Sequence, residues 1–199
     1  MPFSDLVERA MRVAARWHRH QTRKSSDLPY ITHPASVMSI LTRVGIHDDD
    51  VLAAALLHDV LEDTPCPIED LAAEFPPRVL DYVQQLTEQK KDEAGTVRPW
   101  KVRKTEYIER LQNAPWEVRA IALADKLHNL GTMVYDLEAG EALWKRFGAS
   151  PEQVLWYHDE VVRQAAQDDV RLLPLASQCR RLIQKLRDSL TANGMTGEF

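Results

Sequence analysis

An all-α fold, a bundle of about ten helices, is what this chain predicts, and three observations carry the expectation. Apolar residues return at helical spacing along most of the 199 residues. No stretch keeps the strict alternation of a half-buried strand. Prolines stand where helices would start rather than where they would run, at Pro34, Pro115 and Pro151.

The elements follow in order. The first helix is expected at residues 3–20, where acids enter early and no signal-peptide apolar core is present. Pro34 opens a second at 34–44. The third, 49–61, follows Asp48, Asp49 and Asp50, an acid run that helix capping explains without any function. Periodicity places short helices at 67–74 and 77–87. A loop containing Gly and Pro precedes one at 100–112. Pro115 begins an apolar helix at 116–136, and a further helix is read at 139–147. Ser150 and Pro151 start 151–167, and a last helix runs 170–190. Residues 191–199 are polar and read as a disordered tail, which leaves 1–190 as a single domain.

With 44% hydrophobic and 28% charged residues, the chain suits a soluble globular protein. No apolar run approaches the roughly 20 residues that cross a bilayer, so no membrane partner and a cytoplasmic location are expected. Cys66 and Cys179 are too few and too distant for a disulfide framework or a zinc knuckle. A net charge of -5 disfavours a nucleic-acid partner. Local charge says more. Residues 89–104 hold six Lys or Arg against two acids, and Arg23-Lys24 precedes another loop. Two such loops would attract a compact polyanion such as a phosphorylated small molecule, although solvated basic loops are equally common.

The decisive stretch is VLAAALLHDVLEDT, residues 51–64. It is apolar enough for a buried helix, yet it carries His58, Asp59, Glu62 and Asp63. Burying such groups without partners costs several kcal/mol, and a divalent cation would satisfy them. On a helix these positions span an arc of about 140°. His58 then lies above Glu62, and Asp59 above Asp63. A second apolar helix carries Asp125, with His128 and Asn129 just beyond, and His33 stands at a helix start. Two imidazoles, His33 and His58, and two carboxylates, Asp59 and Asp125, suit Mn²⁺, Fe²⁺ or Zn²⁺ with water in the remaining positions. Such an ion activates water, and Glu62 and Asp63 could orient it or protonate a leaving group. Singly, each piece is weak: a lone His-Asp pair usually sits on a surface, and His18, His20, His47 and His158 read as ordinary. Jointly the acids and His58 interrupt apolar helices, and that pattern points to a metal site.

At these residues the chain resembles the HD-domain metal-dependent phosphohydrolases. Within them it is similar to the hydrolase domain of the RelA/SpoT homologues, which degrade the alarmone ppGpp. The stretches that carry the resemblance are QTRKSSDLPYITHP at 21–34, ALLHDVLEDT at 55–64, YIERL at 107–111 and LADKLHNL at 123–130. The resemblance implies an HD-domain helical bundle, Mn²⁺ as the usual ion, and His33, His58, Asp59 and Asp125 as its protein ligands. It implies Glu62 and Asp63 as the catalytic pair and Arg23 and Lys24 as contacts to the guanine base and nearby groups. It further implies that Asn129 and Thr132 hold ribose and phosphate, that Lys101 touches the diphosphates, and that Tyr157 contacts the nucleotide. The expected activity is that of a guanosine-3′,5′-bis(diphosphate) 3′-pyrophosphohydrolase, which converts ppGpp or pppGpp to GDP or GTP and pyrophosphate. Leu130-Gly131 stands where the family often has Met-Arg, so one phosphate contact is missing. The chain ends far short of a synthetase region, so hydrolysis alone is expected.

Three other readings compete. The first is an HD phosphohydrolase acting on another nucleotide, such as an adenosine alarmone or the 2′-phosphate of NADPH. The second is a non-catalytic alarmone-binding protein, although Glu62 and Asp63 would then only repel phosphate. The third is a helical scaffold using Trp144, Trp156 and Tyr157, residues that at helical spacing are more often core. The Leu and Ile positions of 170–190 would serve equally to dock on the domain itself or to form a homodimer.

Overall fold

The computed structural model of the protein describes residues 4–24, 26–167 and 169–192. Ten α-helices account for most of them: α1 (Asp5–Trp17), α2 (Thr32–Arg43), α3 (Asp49–Leu57), α4 (Val60–Asp63), α5 (Ile68–Glu74), α6 (Pro77–Leu86), α7 (Trp100–Asn113), α8 (Trp116–Glu138), α9 (Pro151–Ala166) and α10 (Leu173–Ala192). No β-strand forms among the described residues. Two isolated bridges, Thr22 with Pro29 and Lys91 with Val97, pinch two loops.

The starts are those that local chemistry dictates. Asp48 accepts from the backbone N–H groups of Asp50 and Val51 at 2.9 and 3.3 Å, which caps α3. Ser150 and Gln153 form a reciprocal capping box on α9. α8 follows Pro115, and α7 follows Pro99.

α3 is the axis of the fold. Every residue from Val51 to Leu57 is buried, and α1, α2, α6 and α8 surround it. α9 and α10 cover the other side of α8, and α7 leans on α9. The apolar stripe of α10, from Leu175 through Ile183 to Leu190, lies against this body. Burying a Leu or Ile side chain fully is worth about 1.5–3 kcal/mol, so these stripes anchor the outer helices.

Three expectations need correction. The helix read at 49–61 is interrupted at His58 and Asp59, and α4 begins only at Val60. The His58 Nδ1–H donates to the Ala55 carbonyl at 2.8 Å, the oxygen that would serve the Asp59 N–H in an unbroken helix. The helix read at 139–147 is a turn followed by a four-residue 3-10 helix, Leu143–Arg146. Gly140, at φ +80°, stops α8, and Arg146 is then clamped to Asp136 and Glu141 at 2.5 Å each. α1 ends at Trp17 instead of 20. The expected tail begins in helix, at residues 191–192, and from 193 onward lies outside the described residues.

Candidate metal centre and its cleft

Three chain segments meet above the end of α3. α2 contributes His33 from its first turn, the break after α3 contributes His58 and Asp59, and α8 contributes Asp125 from its buried stretch. His33 Nε2 lies 3.1 Å from Asp125 Oδ1 and 3.5 Å from Asp59 Oδ2. His58 Nε2 lies 3.2 Å from Asp59 Oδ2 and 4.0 Å from Asp125 Oδ1. One ligand atom each of His33, His58 and Asp125 falls within 4.8 Å of the others.

The orientation of the rings suits a cation. His58 donates its Nδ1 proton to Ala55, which aims Nε2 at the carboxylates. Against burial, Asp59 raises the imidazole to about 9, so an ion bound there would take the place of the Nε2 proton. That buried Nε2 has no hydrogen-bond partner among the described residues. His33 Nδ1 lies 2.8 Å from His128 Nδ1. Burial, with His33 and Arg23 nearby, pushes His128 down to about 4, so it stays neutral and can accept the His33 proton. His33 then presents a lone pair at Nε2. The residues therefore fit a divalent ion.

The carboxylates divide by environment. Burial alone would raise Asp125, but Lys126, at 2.6 Å, and His33 hold it well below the usual range. Asp59 is likewise lowered against burial, by His58 and then His33. Glu62 moves the other way, since burial and the Asp59 charge raise it. Two ionised carboxylates thus sit beside one whose proton affinity is enhanced.

Tyr30 ties the groups together. Its hydroxyl donates to Asp59 at 2.8 Å and reaches Asp63 at 3.1 Å. The pinched 21–30 loop carries both Tyr30 and Arg23, and the Arg23 guanidinium lies over the Tyr30 ring. Arg23 donates to Asn129 Oδ1 at 2.9 Å, and Asn129 in turn donates to Asp125 at 2.6 Å. Thr132 is turned back onto the His128 carbonyl one turn earlier.

These groups line a cleft of about 880 Å³. Arg23, Lys24, Asn129, Thr132 and Tyr157 all face it, as do the metal cluster, Glu62 and Asp63. Lys101 does not. Its ammonium lies over the outer Trp156 ring, 2.9 Å from the centroid, and the residue is exposed. From the same basic stretch Lys90, Arg103 and Lys104 face the cleft instead. Helical phase explains this: α7 starts at Trp100, and residues 100, 103, 104 and 107 share one side.

Sequence reasoning passed over several cleft residues. Tyr30, Glu88 and Lys126 partner other site residues through hydrogen bonds that only close approach reveals, and so does the bond of His128, noted beyond Asp125, to His33. His158, read as ordinary, is buried at the cleft wall with its Nδ1 without a partner among the described residues. Its one sequence signal was its place beside Tyr157.

A family model described as HD domain matches residues 10–146, which include every metal-cluster residue. The chain belongs to the HD-domain family. This HD domain is 46% identical over 132 residues to a GTP pyrophosphokinase of Streptomyces coelicolor, a match that covers 65% of the chain but 15% of that protein. It is 40% identical over 119 residues to the human guanosine-3′,5′-bis(diphosphate) 3′-pyrophosphohydrolase MESH1, covering 59% of the chain and 63% of the relative. A solved structure described as a metazoan orthologue of SpoT that hydrolyses ppGpp superposes with a TM-score of 0.74 at 30% identity, over 92% of this chain and 96% of that one. The HD domain thus carries a divalent-metal site built on His33, His58 and Asp125.

Proposed function

We propose that the protein is a metal-dependent hydrolase of guanosine alarmones, which converts ppGpp or pppGpp to GDP or GTP and pyrophosphate. The observation that carries the reading is the Glu62 carboxylate, raised by burial and by Asp59, beside the His33, His58 and Asp125 cluster in a cleft that seven Lys and Arg side chains line. The human relative and the solved neighbour are both named for ppGpp hydrolysis, which supports it.

In this reading His33, His58, Asp59 and Asp125 hold the ion, with Mn²⁺ as the expected metal. Bound there, the ion supplies positive charge for phosphate oxygens and lowers the pKa of water. Seven Lys and Arg side chains and seven Asp and Glu side chains line the cleft. The protein's own charges therefore balance, and the ion tips the site toward a polyanion. Glu62 takes the proton of the attacking water, a role that its proton affinity, raised by burial and by Asp59, favours. Asp63 is held by Tyr30 and by Lys90, and it steers that water. Arg23 and Lys24 meet the base, and Asn129 and Thr132 meet the ribose and phosphate. Arg103 and Lys104 take the diphosphate role that was expected of Lys101, and Tyr157 closes the nucleotide contact.

The reading takes residues 1–190 as one hydrolase domain acting in the cytoplasm on a free nucleotide, not on a nucleic acid. No helix among the described residues is long and apolar enough to cross a membrane. A homodimer would use a face other than the apolar stripe of α10, which is spent on α8 and α9. A second reading, another nucleotide substrate, draws on the aromatic wall of Trp100, Tyr107 and Tyr157, which would receive a further base.

The test is purified protein with Mn²⁺ and ppGpp, with products identified, beside Asp59→Asn. Wild type should release pyrophosphate, and the variant should lose at least about 100-fold in kcat. Greater efficiency on an adenosine alarmone or NADPH would move the assignment to the second reading. Full turnover after metal stripping would remove both.

A further inference from the structure

Glu62 receives its fixed contacts, among the described residues, from one short segment. Its Oε2 accepts from the Glu88 backbone N–H at 2.9 Å, and its Oε1 meets the Lys90 ammonium at 3.2 Å. Lys90 also pairs with Asp63. The segment 87–90 leaves the end of α6, so its position sets where Glu62 points and, together with Tyr30, where Asp63 points.

The segment is tied down by a carboxylate in an unusual place. Glu88 is 5% exposed, and its two oxygens pair with Arg103 and with Lys104, the latter at 2.6 Å, both on α7. A carboxylate this deeply buried is tolerated only with such partners, and breaking them strands a charge. The flanks have lighter anchors: Arg110 donates to the Thr87 carbonyl at 2.9 Å, and the Arg98 N–H donates to the Lys90 carbonyl at 3.0 Å. Among the described residues Glu88 alone joins α7 to Glu62, with its side chain on one and its N–H on the other.

We infer that Glu88 is a positioning residue, whose buried ion pairs to Arg103 and Lys104 hold its own N–H and Lys90 against Glu62 and Asp63. The inference rests on the reading of Glu62 and Asp63 as the catalytic pair. It touches none of the four metal-cluster residues, so it separates from metal binding. Charge-assisted bonds of this kind set orientation as well as energy, and groups that orient a reacting residue typically matter by about 10- to 100-fold.

The experiment compares wild type with Glu88→Ala and Glu88→Gln, all loaded with Mn²⁺. Glu88→Ala should lower kcat at saturating ppGpp by about 10- to 100-fold while Mn²⁺ affinity stays unchanged. Glu88→Gln keeps the reach and an oxygen for Arg103, and should recover most of that loss. Amide hydrogen exchange needs no substrate. It should rise in Glu88→Ala across residues 86–91 and stay unchanged at the α3–α4 break and in α8. Unchanged kcat and exchange in Glu88→Ala would overturn the inference. So would a loss of metal affinity in step with kcat, which marks general loosening. If wild type fails to turn over ppGpp while exchange behaves as expected, the substrate reading falls and the positioning stands.

Discussion

At the residue scale, His158 shows how burial becomes a pH response. The imidazole is buried at the cleft wall, and burial, with Lys126 and Lys104 nearby, pushes it down to about 3. In the unfolded chain a histidine titrates near 6.5. Below that pH the unfolded state takes up a proton that the folded state refuses, so stability is full above about 6.5 and falls as pH drops toward 3. Between pH 7 and 5 this one group should remove about 2 kcal/mol. Urea unfolding at the two pH values checks it, with His158→Phe as reference. The variant should show a loss smaller by about that amount, and equal losses would place His158 in water.

At the element scale, α10 shows how a distant helix supports the site. Its buried face lies on α8, the helix that carries Asp125, and Cys179 approaches the Leu123 carbonyl at 3.6 Å. Leu186 is completely buried there. Leu186→Ala should lower unfolding free energy by about 2–5 kcal/mol, the transfer loss plus a cavity. Metal affinity measured well below the melting transition should stay as in wild type, because α10 contributes none of the clustered ligand residues. A urea midpoint within error of wild type would mean that α10 docks loosely. The α3–α4 break makes a complementary point. Had the helix run unbroken, His58 would not have its Nδ1–H committed to Ala55, and its Nε2 would not be aimed at the carboxylates.

At the scale of the whole molecule, segments from residue 33 to residue 125 converge on one ion site, so binding and folding are linked. An ion that binds only the folded state at 100 times its Kd adds about 2.7 kcal/mol. For a domain of this size that corresponds to a rise in Tm of about 5–10 °C. Thermal scans of chelator-treated protein with and without added Mn²⁺ would read it. Alanine at both His33 and His58 should abolish the shift, and a shift that survives that change would place the ion elsewhere.

Helical periodicity and proline placement were enough to read the all-α class from the chain, because both depend on neighbours a few residues apart. The acids and His58 inside apolar helices were legible for a related reason: an ionisable group in a buried stretch demands a partner wherever the chain goes. The departures came from contacts between remote residues. Lys101 is turned outward and Arg103 and Lys104 inward by the phase at which α7 starts. The His128 proton acceptor, the Tyr30 bridge and the Glu88 clamp join residues tens of positions apart. Local sequence determines which residues are helical and which must be compensated. Only tertiary packing decides which side chains do the compensating, because a hydrogen bond or ion pair depends on ångström distances that sequence separation does not set.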